Sequence, residues 1–328
     1  MSQQMEFLGK SVLITGGLGF IGSNMARRLL EAGARVTLVD SLIPQYGGNP
    51  FNIKDLAGKV EVNISDVRDQ HSIECLVRGK HYLFNLAGQT SHMDSMEDPF
   101  TDLQINSLAQ LSILETCRRH NPDIKIVFAS TRQIYGRPEY LPVDEKHPLR
   151  PVDVNGINKL AGEQYHRLYN DVYGIRTCSL RLTNTYGPRM RIRDARQTFV
   201  GLWIRRAIEG RAFDVWGGDQ RRDFIYVDDA VDAFLKAAES DRADGQVFNL
   251  GGREVISLRQ LAAMLTDLTS TPHVTIPFPE NRKAIDIGDY YSDDLKVRSE
   301  LGWEPVIGLE IGLRRTIAYF RENLDRYV

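Results

Sequence analysis

The feature that most constrains this chain is a strand and the turn after it, Ser11-Val12-Leu13-Ile14-Thr15 running into GGLGFIGSN (Gly16 to Asn24). A short apolar run gives way to glycines at 16, 17, 19 and 22. A helical period then starts, with Ile21, Met25 and Leu29 on one face. A buried strand feeding a Gly-rich turn and a helix N-terminus builds an anion site, because the free N–H groups and the helix dipole point at the same spot. Gly16 permits the tight turn, Gly19 lets the backbone approach a pyrophosphate, and Gly22 lets the helix close onto the strand. Phe20 and Ile21 stand at the helix start beside that spot. The second strand, Arg35 to Val39, ends in Asp40. An acid there meets the adenosine ribose hydroxyls and repels a 2′-phosphate. The pattern predicts a dinucleotide site that takes NAD rather than NADP.

The next stretches repeat the strand–helix rhythm. Val60 to Ile64 alternates and ends near Asp66, which predicts a third strand with Asp66 and Val67 against an adenine. The competing reading of Asp66 is a helix N-cap, since Ile73, Leu76 and Val77 follow at helical spacing. Tyr82 to Gly88 reads as a fourth strand, and Leu86-Ala87-Gly88 at its end lets a cofactor lie against the backbone. Phe100 to His120 reads as a helix with Leu103, Leu111 and Leu114 toward a core. Ile124 to Ala129 is a fifth strand ending in Ser130-Thr131, Leu160 to Tyr173 a helix, and Thr177 to Leu182 a sixth strand. Strands alternating with helices from the start predict an α/β fold, a doubly wound parallel sheet of the Rossmann type. Its ligand crevice lies at the C-terminal ends of the strands.

Past Pro188 the rhythm changes. Helices are predicted from Thr198 to Glu209, after an Asp228-Asp229 cap, from Leu258 to Leu268 behind a Ser257 N-cap, and from Leu309 to Leu324. Phe213 to Trp216 and Val247 to Leu250 read as strands. The expected division is a dinucleotide-binding part, 1–181, with 225–251 packing back on it. Residues 182–224 and 252–328 form a smaller α/β substrate-binding lobe.

A formal charge of −2 gives no broad electrostatic reason to expect nucleic acid or an anionic membrane as partner. No apolar run is long enough to span a bilayer. MSQQMEFLGK lacks the charged-then-apolar pattern of a secretion signal. Cys75, Cys117 and Cys178 are odd in number and widely spaced, with neither disulfide framework nor metal spacing, so no metal and a cytoplasmic location are expected. Each cysteine lies in an apolar pattern and is read as core.

Eight stretches carry a resemblance: TGGLGFIGSN, NLAGQTS, FASTRQIYG, NKLAGEQY, LRLTNTYGPR, WGGDQRRDFIYVDD, FNLGG and ELGWEP. Together, and in this order, they resemble the extended short-chain dehydrogenase/reductases that modify nucleotide sugars, the NAD-dependent 4-epimerases and 4,6-dehydratases. The resemblance implies NAD on the first part and a nucleotide sugar between the lobes. A sugar hydroxyl is oxidised, and the C4 ketone lets the ring turn over before hydride returns. Such chemistry needs a base, in this family a Tyr in a Tyr-x-x-x-Lys pair, with the ammonium favouring phenolate. A Ser or Thr upstream bonds the same sugar oxygen.

The chain departs from that pattern. Lys159 stands at the lysine position and is implied to anchor the ribose and nicotinamide, and Thr131 stands at the hydroxyl position. Asn155 occupies the tyrosine's place, and an amide cannot be a general base. Arg132 and Gln133 follow Thr131 where similar dehydratases carry an Asp-Glu pair, which argues against dehydration by that route. His92, in GQTSHMD, is the candidate replacement base, with Asp94, Tyr135, Asp153 and Tyr186 as further candidates. On the substrate side the resemblance implies Asn184, Arg222 and Arg282 near the diphosphate. Arg189, Arg191, Arg193 and Arg196 form a basic loop, read either as surface or as a seat for an acidic sugar. The helices Phe100 to His120 and Leu160 to Tyr173 resemble a family dimer interface, with Tyr165, Leu168 and Tyr169 supplying contact area. The reading is a homodimeric nucleotide-sugar 4-epimerase with tightly bound NAD. The alternatives are a dehydratase or oxidoreductase with a displaced base, and a cofactor-binding relic.

Overall fold

Leu13 of β1 (Ser11–Thr15) and its neighbours Val12 and Ile14 point to opposite faces, and both faces are covered. A strand buried on both sides must be apolar at consecutive positions, and SVLIT is. The computed structural model describes residues 6–46, 48–279 and 286–328. In it β1 pairs in parallel with β2 (Arg35–Asp40) on one side and β4 (Tyr82–Asn85) on the other. β3 (Glu61–Ile64), β5 (Lys125–Thr131), β6 (Thr177–Leu182) and β10 (Val247–Asn249) complete a seven-stranded parallel sheet in the order β10-β6-β5-β4-β1-β2-β3. The direction of winding reverses between β1 and β4, which is where an open α/β sheet places its ligand crevice. The expected α/β doubly wound architecture is present.

α1 (Phe20–Glu31) and α8 (Val227–Glu239) belong to one face, with Met25, Leu29, Val231 and Phe234 packed on Val12, Ile14 and Val127. α2 (Gln70–Val77), α5 (Ala109–His120) and α6 (Val154–Tyr173) cover the other through Ile73, Leu114, Cys117 and Tyr169. Beyond the large sheet stand a three-stranded sheet, β11-β9-β7, and a two-stranded one, β12-β8. They are built from β7 (Asn184–Tyr186), β8 (Phe213–Trp216), β9 (Arg221–Tyr226), β11 (Val255–Ser257) and β12 (His273–Ile276). α7 (Phe199–Ile208), α9 (Leu258–Thr269) and α11 (Leu309–Asn323) pack around them, and α10 (Leu295–Leu301) lies against β10.

Several local expectations are corrected. The helix expected from Phe100 to His120 is broken: α4 (Pro99–Leu103) runs into a π-helical turn, Gln104–Leu108, before α5. A π-turn shifts the register, and Leu103, expected inside, is exposed. The fourth strand stops at Asn85, and residues 86–88 are loop. Val62 and Ile64 face solvent, because β3 is the sheet edge. Asp228 and Asp229 sit inside the first turn of α8 instead of capping it; Asp229 accepts the Ile307 amide at 3.0 Å. Cys75 is exposed, whereas Cys117 and Cys178 are buried, their thiols pushed up to about 12 by desolvation. Ser257 does cap α9, in a capping box with Gln260.

Gly22 shows how closely the first turn is fitted. A Cβ there would stand 2.3 Å from the Gly16 carbonyl oxygen, which is backbone and cannot swing away. Gly22→Ala is expected to destabilise the protein by about 1–3 kcal/mol, read as a lower denaturant midpoint. An unchanged midpoint would show that α1 has room to shift.

Candidate active site

The turn after β1 presents donors to a single point. Gly16 has φ of 68°, a conformation glycine adopts without strain, and Gly19 N–H bonds back to Gly16 O at 3.0 Å. α1 starts at Gly19 with no side-chain cap and no acid in its first turn, which leaves its first amides open to an anion. A Cβ at Gly16 or Gly19 would reach 3.1–3.2 Å from backbone atoms, so the cradle is shaped for backbone alone. The residues present fit a dinucleotide diphosphate.

Around this turn lie the other expected cofactor residues. Asp40 accepts Leu18 N–H at 3.1 Å and Leu42 N–H at 2.9 Å; burial raises its pKa, and the two amides counter it. Asp66 holds the amide and guanidinium of Arg68, whose hydrogen bonds keep its carboxyl below the usual range. The cap of α2 is Asp69, so Asp66 is not the helix cap. Leu86 and Ala87 amides both donate to Thr15 Oγ1 at 3.1 Å, which pins the loop after β4 to β1. Gly16, Gly19, Phe20, Ile21, Gly22, Asp40, Asp66, Val67, Leu86, Ala87, Gly88 and Lys159 all line one cleft.

The same cleft continues past Thr131, His92, Gln133 and Asn155 to Asn184. Lys159 is buried on α6, its Nζ 3.2 Å from Ala129 O and 5.0 Å above the Phe128 ring. Desolvation pushes its pKa down to about 8, against the opposing pull of Asp102. Asn155 is fixed from three sides: its side-chain N–H groups donate to Gln89 O at 2.8 Å, Gln89 Oε1 at 3.2 Å and Asp102 Oδ2 at 3.0 Å. Asp102 is fully buried and also receives Asn106 at 3.0 Å and Asn158 at 2.8 Å.

His92, at the start of α3 (His92–Glu97), is the candidate that meets a partner able to orient it. Its Nδ1 lies 2.9 Å from Asp153 Oδ2. Asp153 is also the N-cap of α6, its other oxygen taking Gly156 N–H at 2.6 Å. Burial would raise this carboxyl, but the hydrogen bond and charge of His92 and the Gly156 amide outweigh it and hold it low. When the imidazole is neutral and donates Nδ1–H to Asp153, Nε2 keeps its lone pair, which accepts the Gln133 amide at 2.7 Å. This is the nucleophile-and-base logic of an imidazole held by a carboxylate.

The other candidates lie elsewhere. Tyr135 is buried, bonded to Asn249 and Arg181, and Tyr186 is buried against Leu309 O. Asp94 pairs with Arg196 at 2.9 Å. In the basic loop Arg191 and Arg196 pair with Asp194, and Arg189 donates to Asn24. On the substrate side Asn184 accepts Arg132 Nη2 at 3.2 Å and donates to Asp223 O. Arg222 is buried beside the cleft, bonded to Arg221 O and Gly288 O, and burial lowers its pKa to about 10. Arg282 lies outside the described residues. Gln89, Asp102, Asn106 and the Gln133 contact were not anticipated; Asp102 and Asn106, polar at i, i+4 on an inward helix face, were the available signal. Among the described residues no cluster of His, Cys, Asp or Glu is placed to hold a metal.

Lys159 sets a measurable pH dependence. Its folded value of about 8 lies below the ordinary 10.5, so between those values the unfolded chain binds more protons and stability at this position rises with pH. In cofactor-free protein, Lys159→Met is expected to be the more stable form below pH 8, with the gap closing toward pH 10.5. Denaturation at a series of pH values reads this. A gap that ignores pH would contradict a charged, buried Lys159.

A sequence profile of the NAD dependent epimerase/dehydratase family matches residues 12–251. A Methanocaldococcus jannaschii protein named as a candidate UDP-glucose 4-epimerase is 33% identical over 317 residues, 95% of this chain and 99% of that protein. UDP-glucuronic acid decarboxylase 1 of Xenopus tropicalis is 30% identical over 329 residues, 96% of this chain and 73% of that protein. The crystal structure of Thermotoga maritima UDP-glucose 4-epimerase with UDP-glucose superimposes with a TM-score of 0.87 at 31% identity, covering 96% of this chain and 99% of that one. A match of this extent, over a cleft whose glycine turn fits a dinucleotide, places the chain in the NAD dependent epimerase/dehydratase family, with NAD as its cofactor.

Proposed function

We propose that the chain is a UDP-sugar 4-epimerase in which His92, oriented by Asp153, replaces the missing tyrosine as the proton-transfer group. The observation that carries this is the Asp153–His92 pair lining the same cleft as Thr131 and Lys159. Bound NAD supplies reversible hydride acceptance. Gly16, Gly19 and Gly22 with the Phe20 and Ile21 amides would hold its diphosphate. Asp40 would hold its adenosine ribose and Asp66-Val67 its adenine. Leu86, Ala87, Gly88 and Lys159 would hold the nicotinamide half.

The chain's own residues then handle the sugar. Thr131 hydrogen-bonds the C4 oxygen. His92 Nε2 takes the hydroxyl proton as C4 is oxidised and returns it when the ketone is reduced. For that the Gln133 amide must leave Nε2, so substrate binding and release of the base are one event. Asp153 keeps the tautomer and stabilises the imidazolium. Asn155 does no proton chemistry: its donors are engaged with Gln89 and Asp102. Asn184 and Arg222, with Arg282, bind the diphosphate. Residues 1–181 with 225–251 carry the cofactor, and the pairing of β10 with β6 supports that division. A dehydratase finds less support, because Arg132 and Gln133 offer no carboxyl pair after Thr131.

The test is equilibration of UDP-glucose and UDP-galactose by wild type, His92→Gln and Asp153→Asn. Asn keeps the helix cap and removes the charge. A general base contributes about a hundred- to ten-thousand-fold, so His92→Gln should lose kcat by that factor, and Asp153→Asn should lose less. Turnover of His92→Gln equal to wild type would refute the assignment.

A cytoplasmic homodimer remains the proposed assembly. Its contact residues change, since Tyr169 is buried with its hydroxyl on Glu115 at 2.6 Å and Tyr165 packs on the same core. Exposed apolar residues on these helices include Phe100 and Leu103 on α4, Leu108 in the π-turn, and Ile157, Leu168, Val172 and Tyr173 on α6. Ile157, Leu168 and Val172 share one stripe of α6. Wild type should sediment as a dimer and Leu168→Glu as a monomer. A monomeric wild type at micromolar concentration contradicts the dimer.

A further inference from the structure

Two neighbouring side chains of the cleft hold buried polar atoms with no partner among the described residues: Arg132 Nη1, a donor, and Gln133 Oε1, an acceptor. Buried polar groups are nearly always hydrogen-bonded, so such a pair marks where a ligand completes the structure. Arg132 has a second anomaly. Its guanidinium is desolvated, which lowers its pKa, and arginine stays charged, yet no ion pair holds it among the described residues. Asp223, close by, already accepts Thr183 Oγ1 and Ser292 N–H. Nη2 donates to the neutral Asn184 Oδ1 at 3.2 Å, and the Tyr290 ring lies under the guanidinium at 5.1 Å. A buried cation without an ion-pair partner is costly, and the charges of Asp223 and Asp286 oppose that cost without forming an ion pair with it. The fold holds it from two sides and leaves Nη1 without a hydrogen-bond partner among the described residues.

Two anionic groups of a nucleotide sugar are available to that edge: its diphosphate and a carboxylate on the ring. Arg222 lies close enough for the two guanidinium charges to oppose each other, and Arg222 is the arginine the proposed function assigns to the diphosphate. Arg222 faces the Asp286 and Gly288 segment. Arg132 sits between Thr131 and Gln133, the residues at the reacting end. We propose that Arg132 is the receptor for a carboxylate on the sugar ring, so that the preferred substrate is a nucleotide-linked hexuronic acid rather than a neutral hexose. Gln133 Oε1 accepts a ring hydroxyl beside it. The inference rests on the reading that the cleft binds a UDP-sugar. Its specificity follows from the same desolvation: a neutral hexose leaves Arg132 buried and unpaired, and a site built around a polar contact rejects the analogue that lacks it.

The experiment is calorimetric titration of the NAD-loaded protein with UDP, UDP-glucose and UDP-glucuronate, for wild type, Arg132→Met and Arg132→Lys, with epimer formation followed in parallel. Wild type should bind UDP-glucuronate about ten- to a hundredfold tighter than UDP-glucose, within the range of a charge-assisted hydrogen bond. Arg132→Met should lose that preference while binding UDP as wild type does, and Arg132→Lys should keep part of it. UDP binding also shows that the variants are folded. Equal affinity of wild type for the two sugars overturns the proposal. So does an Arg132→Met or Arg132→Lys protein that loses UDP affinity as strongly as UDP-glucuronate affinity, since that assigns Arg132 to the diphosphate. An Arg132-dependent preference without conversion of either sugar supports the carboxylate receptor and refutes the epimerase. A wild type that binds none of the three overturns both.

Discussion

One carboxyl group ties the fold to the chemistry. Asp153 closes the N-terminus of α6 through Gly156 N–H and grips His92 Nδ1 with its other oxygen. The helix it caps carries Asn155 and Lys159, and the imidazole it holds faces the cleft that both of them line. An N-cap is already the expected place for an acid, because it satisfies orphan amides and meets the positive end of the dipole. Its second oxygen fixes the imidazole that the proposed function uses as the proton-transfer group. The arrangement is also stable as charge: the partners that matter hold Asp153 low against its burial.

The same helix holds Asn155 in a network of amides. Asp102, Asn106, Asn155 and Asn158 form a closed set in which three amides serve one buried carboxyl group, and Gln89 is drawn in through Asn155. A tyrosine at 155 has one hydroxyl in place of the donors that Asn155 supplies to Gln89 and Asp102. The network instead positions the loop after β4 and keeps Asp102 within electrostatic reach of Lys159. Under the proposed function this amide–carboxyl frame holds position, and the imidazole outside it moves the proton.

Much of this was legible in the sequence where the signal is local. The glycine turn, Asp40, the alternation of strands and helices, and the Ser257 cap each follow from a few consecutive residues with a single steric or hydrogen-bonding reason. The resemblance carried the reading further and marked Asn155 as the point of departure. Pairings across the fold were not legible. His92 and Asp153 are both visible as candidates, but their contact depends on how the α3 loop meets the start of α6. The π-turn at Gln104–Leu108 has no sequence signature in a helical run, and it decides that Leu103 faces out and Asn106 faces in. β9 was not expected as a strand: RRDFIY opens on three charges, and Thr183 and Ser292, the partners of buried Asp223, come from distant segments. Arg132 was visible only as a missing carboxylate, whereas its buried, unpaired Nη1 is a property of the packed cleft.

The most direct measurement is a crystal structure of the protein with NAD and a bound UDP-sugar. The account predicts the C4 oxygen within about 2.6–3.2 Å of His92 Nε2, touching Thr131, with the Gln133 amide moved off the imidazole and the His92–Asp153 bond intact. A C4 oxygen seated on Asn155, with His92 still holding Gln133, would contradict it.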